Sequence, residues 1–501
     1  MALFQNLDLG FSVALLPQNL LYCFLGTLLG TVVGVLPGIG PLATIAMLLP
    51  ATFGLPPTTA LIMLAGIYYG SQYGGSTTAI LLNLPGESSS AVTTIDGYQM
   101  ARQGRAGPAL AAAGLGSFFA GTVATILIAL VARPLTAVAL SFGPAEYFSL
   151  LVVGLVSSIA LASGSIVKAI GMIGLGLLLG LTGTDIYTGT QRFTFGSAEL
   201  YDGFDFVAIA VGVFGIGEIL RNLESADVRK AIVTEVGSLM PTRGDFRRMV
   251  GPAVRGTAIG SFLGILPGGG ALLSSFVAYN IEKKVSPHSA EFGKGAIEGV
   301  TAPEAANNAG AQTSFIPMLS LGVPSNVVMA LMIGAMIIQG IVPGPNVITK
   351  NPDLFWGLIA SMWVGNAMLF VLNLPLVGIW VKLLSIPYTI LFPAIVAFCC
   401  IGAYSVGNSS FAVFEIAAAG LIGYLLVKLD CELAPFILGF ILGPMLEEYL
   451  RRALIISAGD PSVFVTRPIS AGLLLLAAIA LVFVSLPAIS KKREEVFVEE
   501  A

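Results

Sequence analysis

Residues Gly26–Leu42 read GTLLGTVVGVLPGIGPL, and residues Gly256–Leu272 read GTAIGSFLGILPGGGAL. Nine of the seventeen positions carry the same residue without a gap: Gly26, Thr27, Gly30, Gly34, Leu36, Pro37, Gly38, Gly40 and Leu42 each meet their like 230 positions later. Each copy is an apolar run broken by Leu-Pro-Gly-x-Gly. Apolar segments interrupted by glycine and proline at matching places in two halves of a chain point to the binding site of a membrane transporter.

The composition places this repeat in a bilayer. Of 501 residues, 56% are hydrophobic and 10% charged, a balance that cannot cover a soluble surface of this size. Runs such as Ala109–Val131, Leu354–Trp380 and Ile469–Leu486 approach or exceed the roughly 20 residues that span hydrocarbon. A β-barrel would show short alternating segments instead. The expected fold is an all-α polytopic membrane protein of about 12 transmembrane segments, with two inverted repeats containing broken, re-entrant helical hairpins.

Charge sets the orientation. The first basic residue is Arg102; others gather in 221–255, in 283–294 and at Lys491–Arg493. By the positive-inside rule these loops and the C-terminus face the cytoplasm. With cytoplasmic loops on both sides of Gly251–Asn280, the segment is expected to turn back at Pro267–Gly270, and the first copy to enter from the opposite face; two short full crossings would fit the charges as well. The organisation read from this is a first membrane repeat at 1–221, a cytoplasmic linker at 222–250, a second repeat at 251–450, and a C-terminal helix and tail at 451–501. The N-terminus lacks the basic region of a cleaved signal, so its first apolar segment is expected to be retained.

Each Leu-Pro-Gly break is followed by polar residues that do not belong in lipid. Tyr68–Gly86 reads YYGSQYGGSTTAILLNLPG, and Thr301–Gly322 reads TAPEAANNAGAQTSFIPMLSLG. Their weak likeness aligns Gly74 with Gly310, Thr77 with Thr313, Ile80 with Ile316 and Gly86 with Gly322. Helix N-termini and hydroxyls suit an anion, whereas unwound carbonyls and amide oxygens suit a hard cation. The candidate substrate ligands are therefore Gly38, Gly40, Ser76, Thr77, Thr78, Asn83, Gly268, Gly269, Asn307, Asn308 and Ser325. The candidate Na⁺ ligands are Pro37, Pro267, Asn83 and Asn308. Any single Ser or Thr could equally bond its own helix. Asp96, Glu298 and Glu304 lie near these stretches and are the carboxylates that could touch a coupling ion.

Several classes fall away. His288 is the one histidine, and Cys23, Cys399, Cys400 and Cys431 have no metal-type spacing, so no cofactor beyond a coupling ion is expected. A nucleotide-binding loop is missing, which points to an ion gradient as the driving force. An intramembrane enzyme would need a poised nucleophile, base or metal set, and none is evident. The alternative is a passive solute channel, which needs no symmetric pair of broken hairpins.

The wording also resembles a family. GVLPGIGP from Gly34, YGGSTTAILLNLPGE from Tyr73, DGYQMARQGRAGPAL from Asp96, FGPAEYF from Phe142, RFTFG from Arg192, LPGGG from Leu266, EGVTAPEAANNA from Glu298 and GVPSNVVMALMIGAMIIQGIVPGP from Gly322 are similar to the large membrane subunit of the tripartite tricarboxylate transporters, the TctA family. The resemblance implies a bacterial inner-membrane secondary transporter of carboxylates, citrate being the type substrate. It further implies two partners, a small four-helix membrane subunit (TctB-like) and a periplasmic solute-binding protein (TctC-like). Membrane lipid surrounds such a subunit, and no nucleic acid is involved. Coupling to Na⁺ is expected, with H⁺ as the other option. Many relatives carry histidine where Gln339 stands, and its replacement here removes one titratable group.

Overall fold

A computed structural model describes residues 2–36, 40–139, 141–161, 165–185, 187–224, 236–266, 270–383, 393, 396–397, 400–401, 404 and 409–485. In chain order the main helices are α1 (Ala2–Ala14), α2 (Pro17–Val35), α3 (Gly40–Thr52), α4 (Pro57–Leu82), α5 (Ala106–Ala139), α6 (Pro144–Leu161) and α7 (Ile166–Gly180). A two-stranded antiparallel ribbon follows, β1 (Gly183–Thr184) with β2 (Gln191–Arg192). Then come α8 (Arg243–Ile265), α9 (Gly270–Val285), α10 (Glu298–Thr313), α11 (Phe315–Leu321), α12 (Val327–Ile338), α13 (Pro352–Asn373), α14 (Ser410–Lys428), α15 (Leu433–Ile456) and α16 (Pro468–Ser485).

Among the described residues the structure is thus all-α apart from the ribbon. Five described helices are long and apolar enough to cross a bilayer: Pro17–Val35, Ala101–Val131, Pro352–Asn373, Ser410–Lys428 and Leu433–Ile456. The other apolar helices run to 10–17 residues, and α4, 26 residues long, is buried from Thr59 to Leu81. Outward-facing side chains such as Leu475, Leu476, Ile479 and Val482 of α16 are apolar and exposed, as lipid contact requires.

Both repeated segments break in the same way. Helix α2 ends at Leu36 in extended geometry (φ −85°, ψ 105°), and α8 ends at Leu266 likewise (φ −74°, ψ 135°). A residue before proline is driven out of the helical region by the pyrrolidine ring, and Pro37 and Pro267 supply that ring. The chain re-enters helix at Gly40 (φ 64°) and Gly270 (φ 60°), left-handed positions that a side chain would strain. Pro37, Gly38, Pro267, Gly268 and Gly269 lie outside the described residues.

The glycines before the break fix the packing. A Cβ on Gly26, Gly30 or Gly34 would fall on the carbonyl oxygen of Met63, Ile67 or Ser71 of α4. A Cβ on Gly256, Gly260 or Gly264 would meet the carbonyl of Ala302, Ala306 or Gly310 of α10. Glycine every fourth residue lets backbones touch where lipid offers no hydrophobic drive.

This packing corrects the alignment of the polar stretches. The partners Met63 and Ala302, Ile67 and Ala306, Ser71 and Gly310 are all 239 positions apart, not the 236 at which the letters match. The same register pairs the left-handed caps Asn83 (φ 58°) and Gly322 (φ 72°). It also pairs Pro85 with Pro324, and Glu87 with Asn326, both extended N-cap residues. Gly74 and Gly310 thus occupy different turns of equivalent helices.

The two arms of the second hairpin are also clamped by charge. The Arg255 guanidinium of α8 donates to both oxygens of Glu282 of α9, at 2.8 and 2.6 Å, and Glu282 is buried. Arg255→Ala would strand that carboxylate. The expected cost is about 3 kcal/mol of stability, read as thermal unfolding of the detergent-solubilised protein, and Glu282→Gln in the same background should recover part of it.

Contacts divide the chain into two compact units, 1–136 with 218–399 and 137–217 with 400–501. The first contains both repeated breaks. In the second, α7 lies against α15, where Gly176 and Gly180 leave room for the Phe436 and Phe440 carbonyls. The ribbon there is tied down by ion pairs of Asp185 and Glu447 with Arg192 and Arg451, beside a cleft of about 120 Å³.

Candidate functional site

Within the first unit, polar side chains from α4, α5, α10 and the turns of 88–98 meet in a buried cluster. Its centre is Glu304, which is fully buried. Helix α10 is built for this: Glu298–Thr313 carries few large apolar residues, and all sixteen are buried. The Ser76 hydroxyl of α4 donates to Glu304 Oε2 at 2.5 Å, the Asn307 amide to the same oxygen at 3.2 Å, and the Thr93 hydroxyl to Oε1. The i, i+3 spacing on one helix brings Asn307 onto Glu304. Asn308 extends the cluster, donating to Asn307 Oδ1 at 2.6 Å and to Ser117 Oγ of α5 at 2.7 Å.

A polar trail leads outward from this centre along α4. Gln72, one turn before Ser76, donates to Glu87 Oε2 at 3.3 Å and accepts from the Ser89 hydroxyl at 2.7 Å. The Ser89 oxygen also lies against the Glu87 carboxylate, so its one proton serves either acceptor, and Glu87 is half-buried. A second group sits where α9 begins. Asn326 caps α12 by accepting from the Met329 N–H at 3.0 Å, while its amide donates to Ser314 Oγ at 3.1 Å and to the Tyr68 hydroxyl at 3.3 Å. A Cβ on Gly270 would stand 3.2 Å from that amide nitrogen, so the second break and α4 share a polar corner.

The expected residues divide on this frame. Ser76, Asn307 and Asn308 are brought together around Glu304. Ser325 is buried and donates to the Ser314 carbonyl at 3.4 Å, beside the Asn326 group. Thr77 is buried on α4. The Thr78 hydroxyl donates to the Val35 carbonyl at 2.5 Å, satisfying one of the acceptors left open where α2 ends. Gly40 opens α3 in the left-handed conformation. Asn83 caps α4 in an exposed, left-handed position apart from the Glu304 cluster. Gln339 donates to the Thr52 carbonyl at 2.9 Å.

Of the three carboxylates, two have structural engagements. Asp96 Oδ1 accepts the N–H groups of Gly293, Gly295 and Ala296 at 2.8–2.9 Å, and Oδ2 accepts the Tyr279 hydroxyl at 2.9 Å. Glu298 accepts two bonds of 2.7 Å from Arg248. Arg248 also bonds Glu291 at 2.6 Å in the loop before α10, holding its carboxyl below the usual glutamate range. Tyr68, Gln72, Glu87, Thr93, Ser117 and Asn326 join the site without having been assigned to it. So does Asn366 of α13, whose amide oxygen accepts from the Tyr73 hydroxyl at 2.5 Å. Their common signal is a polar side chain inside or beside an apolar run.

The site offers hydroxyls, amides and the carboxylates of Glu304 and Glu87, and among the described residues no group of three or more His, Cys, Asp or Glu could hold a metal ion. Helices α3 and α9 begin at the breaks, and the first turn of a helix has N–H groups with no partner inside the helix, the kind of donor that suits an anion.

No solved structure matches the chain. An "Uncharacterized 52.8 kDa protein in TAR-I ttuC' 3'region" of Agrobacterium vitis is 63% identical over 500 residues, which is 100% of both chains. An "Uncharacterized protein in TAR-II ttuC' 3'region" of the same organism is 60% identical over 241 residues, 48% of this chain and 100% of that one. The sequence model of the tripartite tricarboxylate transporter TctA family matches residues 20–438. With two equivalent broken helices around a buried polar centre and this match over most of its length, the chain belongs to the TctA family of tripartite tricarboxylate transporters.

Proposed function

We propose that this chain is the large membrane subunit of a tripartite secondary transporter, driven by an ion gradient and importing carboxylates such as citrate or other di- and tricarboxylates. A periplasmic solute-binding protein delivers the substrate, and a small four-helix membrane subunit completes the assembly in the bacterial inner membrane, with the C-terminus of this chain in the cytoplasm. The breaks at Leu36–Gly40 and Leu266–Gly270 enter as re-entrant hairpins from opposite faces, and Na⁺ is the coupling ion.

The observation that carries this reading is the pair of equivalent helix breaks in the same unit as a buried cluster of hydroxyls and amides gathered around the Glu304 carboxylate. The positive ends of α3 and α9 favour carboxylate groups, and hydroxyls and amides bind them without a fixed counter-charge. A carrier needs substrate affinity weak enough to release cargo on the far side, which neutral donors supply.

Labelled mono-, di- and tricarboxylates presented to proteoliposomes holding this chain and its two partner subunits test the proposal. Uptake of at least one carboxylate that requires this chain is expected. Uptake of none of them would overturn it. Cysteines placed at Gly54 and Pro287, exposed positions beyond α3 and α9, should react with impermeant reagent from opposite sides of the membrane; reaction from one side at both positions would refute the inverted arrangement.

A further inference from the structure

We infer that Glu304 is the carboxylate that binds the coupling cation, with the Ser76 and Thr93 hydroxyls completing the site. The inference rests on the transport reading and deepens it.

The argument is a comparison of buried acids. In the first unit the buried carboxylates among the described residues are Asp96, Asp245, Glu282, Glu298 and Glu304. Asp245 pairs with Arg105 at 2.5 Å, Glu282 with Arg255 and Glu298 with Arg248. Asp96 is held by three backbone N–H groups. Glu304 alone in this set has neither a basic partner nor a backbone donor; its bonds come from two hydroxyls and one amide. An ionised carboxylate enclosed this way is strongly disfavoured unless a positive charge joins it. A monovalent cation, Na⁺ or H⁺, meets the need. A hydroxyl that donates to the bare carboxylate can turn its lone pair towards a bound metal ion or a protonated acid.

The geometry also explains how binding would be felt by the protein. Ser76 lies on α4, Thr93 in the turn beyond it, and Glu304 on α10, so one cation draws together helices from the two repeats. Its release leaves a buried negative charge that weakens their contact, a difference in free energy between states that an ion gradient can use. The nearest titratable groups are Tyr73 on α4 and Glu87. Asp96 with Tyr279, and Arg255 with Glu282, are engaged with each other. Glu87 is half-buried and bonded to Gln72, one turn before Ser76.

The test uses the complete three-subunit transporter in proteoliposomes, comparing gradient-driven accumulation with substrate counterflow, which needs no net cation flux. Glu304→Gln mimics the neutralised site. It should lose concentrative uptake by about tenfold or more and make whatever counterflow remains independent of the cation, while Ser76→Ala should raise the half-saturating cation concentration by about tenfold. Imposing Na⁺ at fixed pH, and a pH gradient without Na⁺, tells the two cations apart. Concentrative uptake by Glu304→Gln equal to wild type overturns the assignment. So does loss of both activities in an assembled complex, which would place Glu304 in the substrate site. Should Glu304→Gln fail to assemble, Ser76→Ala and Thr93→Val decide, and an unchanged cation dependence in both rejects the site. If wild type moves no carboxylate, the transport reading fails instead. Glu304 is then judged on the purified chain: radiolabelled Na⁺ binding or a pH-dependent melting shift, either one lost in Glu304→Gln, supports the site, and neither in wild type rejects it.

Discussion

Gly260→Leu and Gly30→Leu are each expected to abolish recovery of folded protein, because both place a side chain where the neighbouring helix has its backbone. At Gly260 the added Cβ falls on the carbonyl of Ala306, with the Ala306 Cα at 2.8 Å. At Gly30 it falls on the Ile67 carbonyl, with the Cα at 2.9 Å. Overpacking a core costs about 1–3 kcal/mol when flexible side chains can yield, and here the group met is backbone, so the cost lies at or above the upper end. Gly174→Ala serves as the control. Its Cβ would meet nothing within 4 Å, and removing a glycine from the interior of α7 should be neutral or stabilising by about 0.5–1 kcal/mol. Size-exclusion profiles and melting temperatures of the detergent-solubilised variants check all three. A monodisperse, wild-type-like Gly260→Leu would show that α8 and α10 do not touch as described.

Asp96→Ala should be nearly as damaging, and Asp96→Asn mild. The alanine leaves the N–H groups of Gly293, Gly295 and Ala296 without their acceptor. An unpaired buried donor costs about 1–3 kcal/mol; the Ala296 bond is buried and the other two part-buried, so the three together should cost a few kcal/mol, a large share of the about 5–15 kcal/mol that holds a typical domain. Asparagine keeps an oxygen where Oδ1 accepts all three bonds. Its new amide meets the Tyr279 hydroxyl, which can turn from donor to acceptor. The loss should be about 1–2 kcal/mol, that of the charge assistance. Thermal unfolding measures the order, and equal losses in the two variants would contradict a structural role for Oδ1.

The helix breaks were legible because proline and glycine act locally: Leu36 and Leu266 are extended because a proline follows, and Gly40 and Gly270 are left-handed because glycine permits it. The register between α4 and α10 was not. Matching letters aligned Gly74 with Gly310, whereas the glycine ridges seat Ser71 and Gly310 at the same depth. The discrepancy is three residues, close to one helical turn, and small-residue stretches look alike when shifted by a turn. The site was legible in part. Ser76, Asn307 and Asn308 stood out as polar residues in membrane surroundings. Their convergence on Glu304 did not, since Ser76 and Thr93 lie 228 and 211 positions away in the chain and only the packing brings them together. Asn83 stood out for its amide, yet its place is explained by backbone: asparagine tolerates the left-handed cap that ends α4.

The central claim, that this chain drives carboxylates uphill by coupling them to a cation, is tested most directly by accumulation. Proteoliposomes holding all three subunits would be given a fixed external concentration of a transported carboxylate, with an inward Na⁺ gradient, an inward proton gradient or neither. The predicted result is internal substrate rising above the external concentration under a cation gradient, the Na⁺ gradient foremost, and relaxing when that gradient is dissipated. Entry that stops at equal concentrations under every condition would contradict the claim and leave a passive channel in its place.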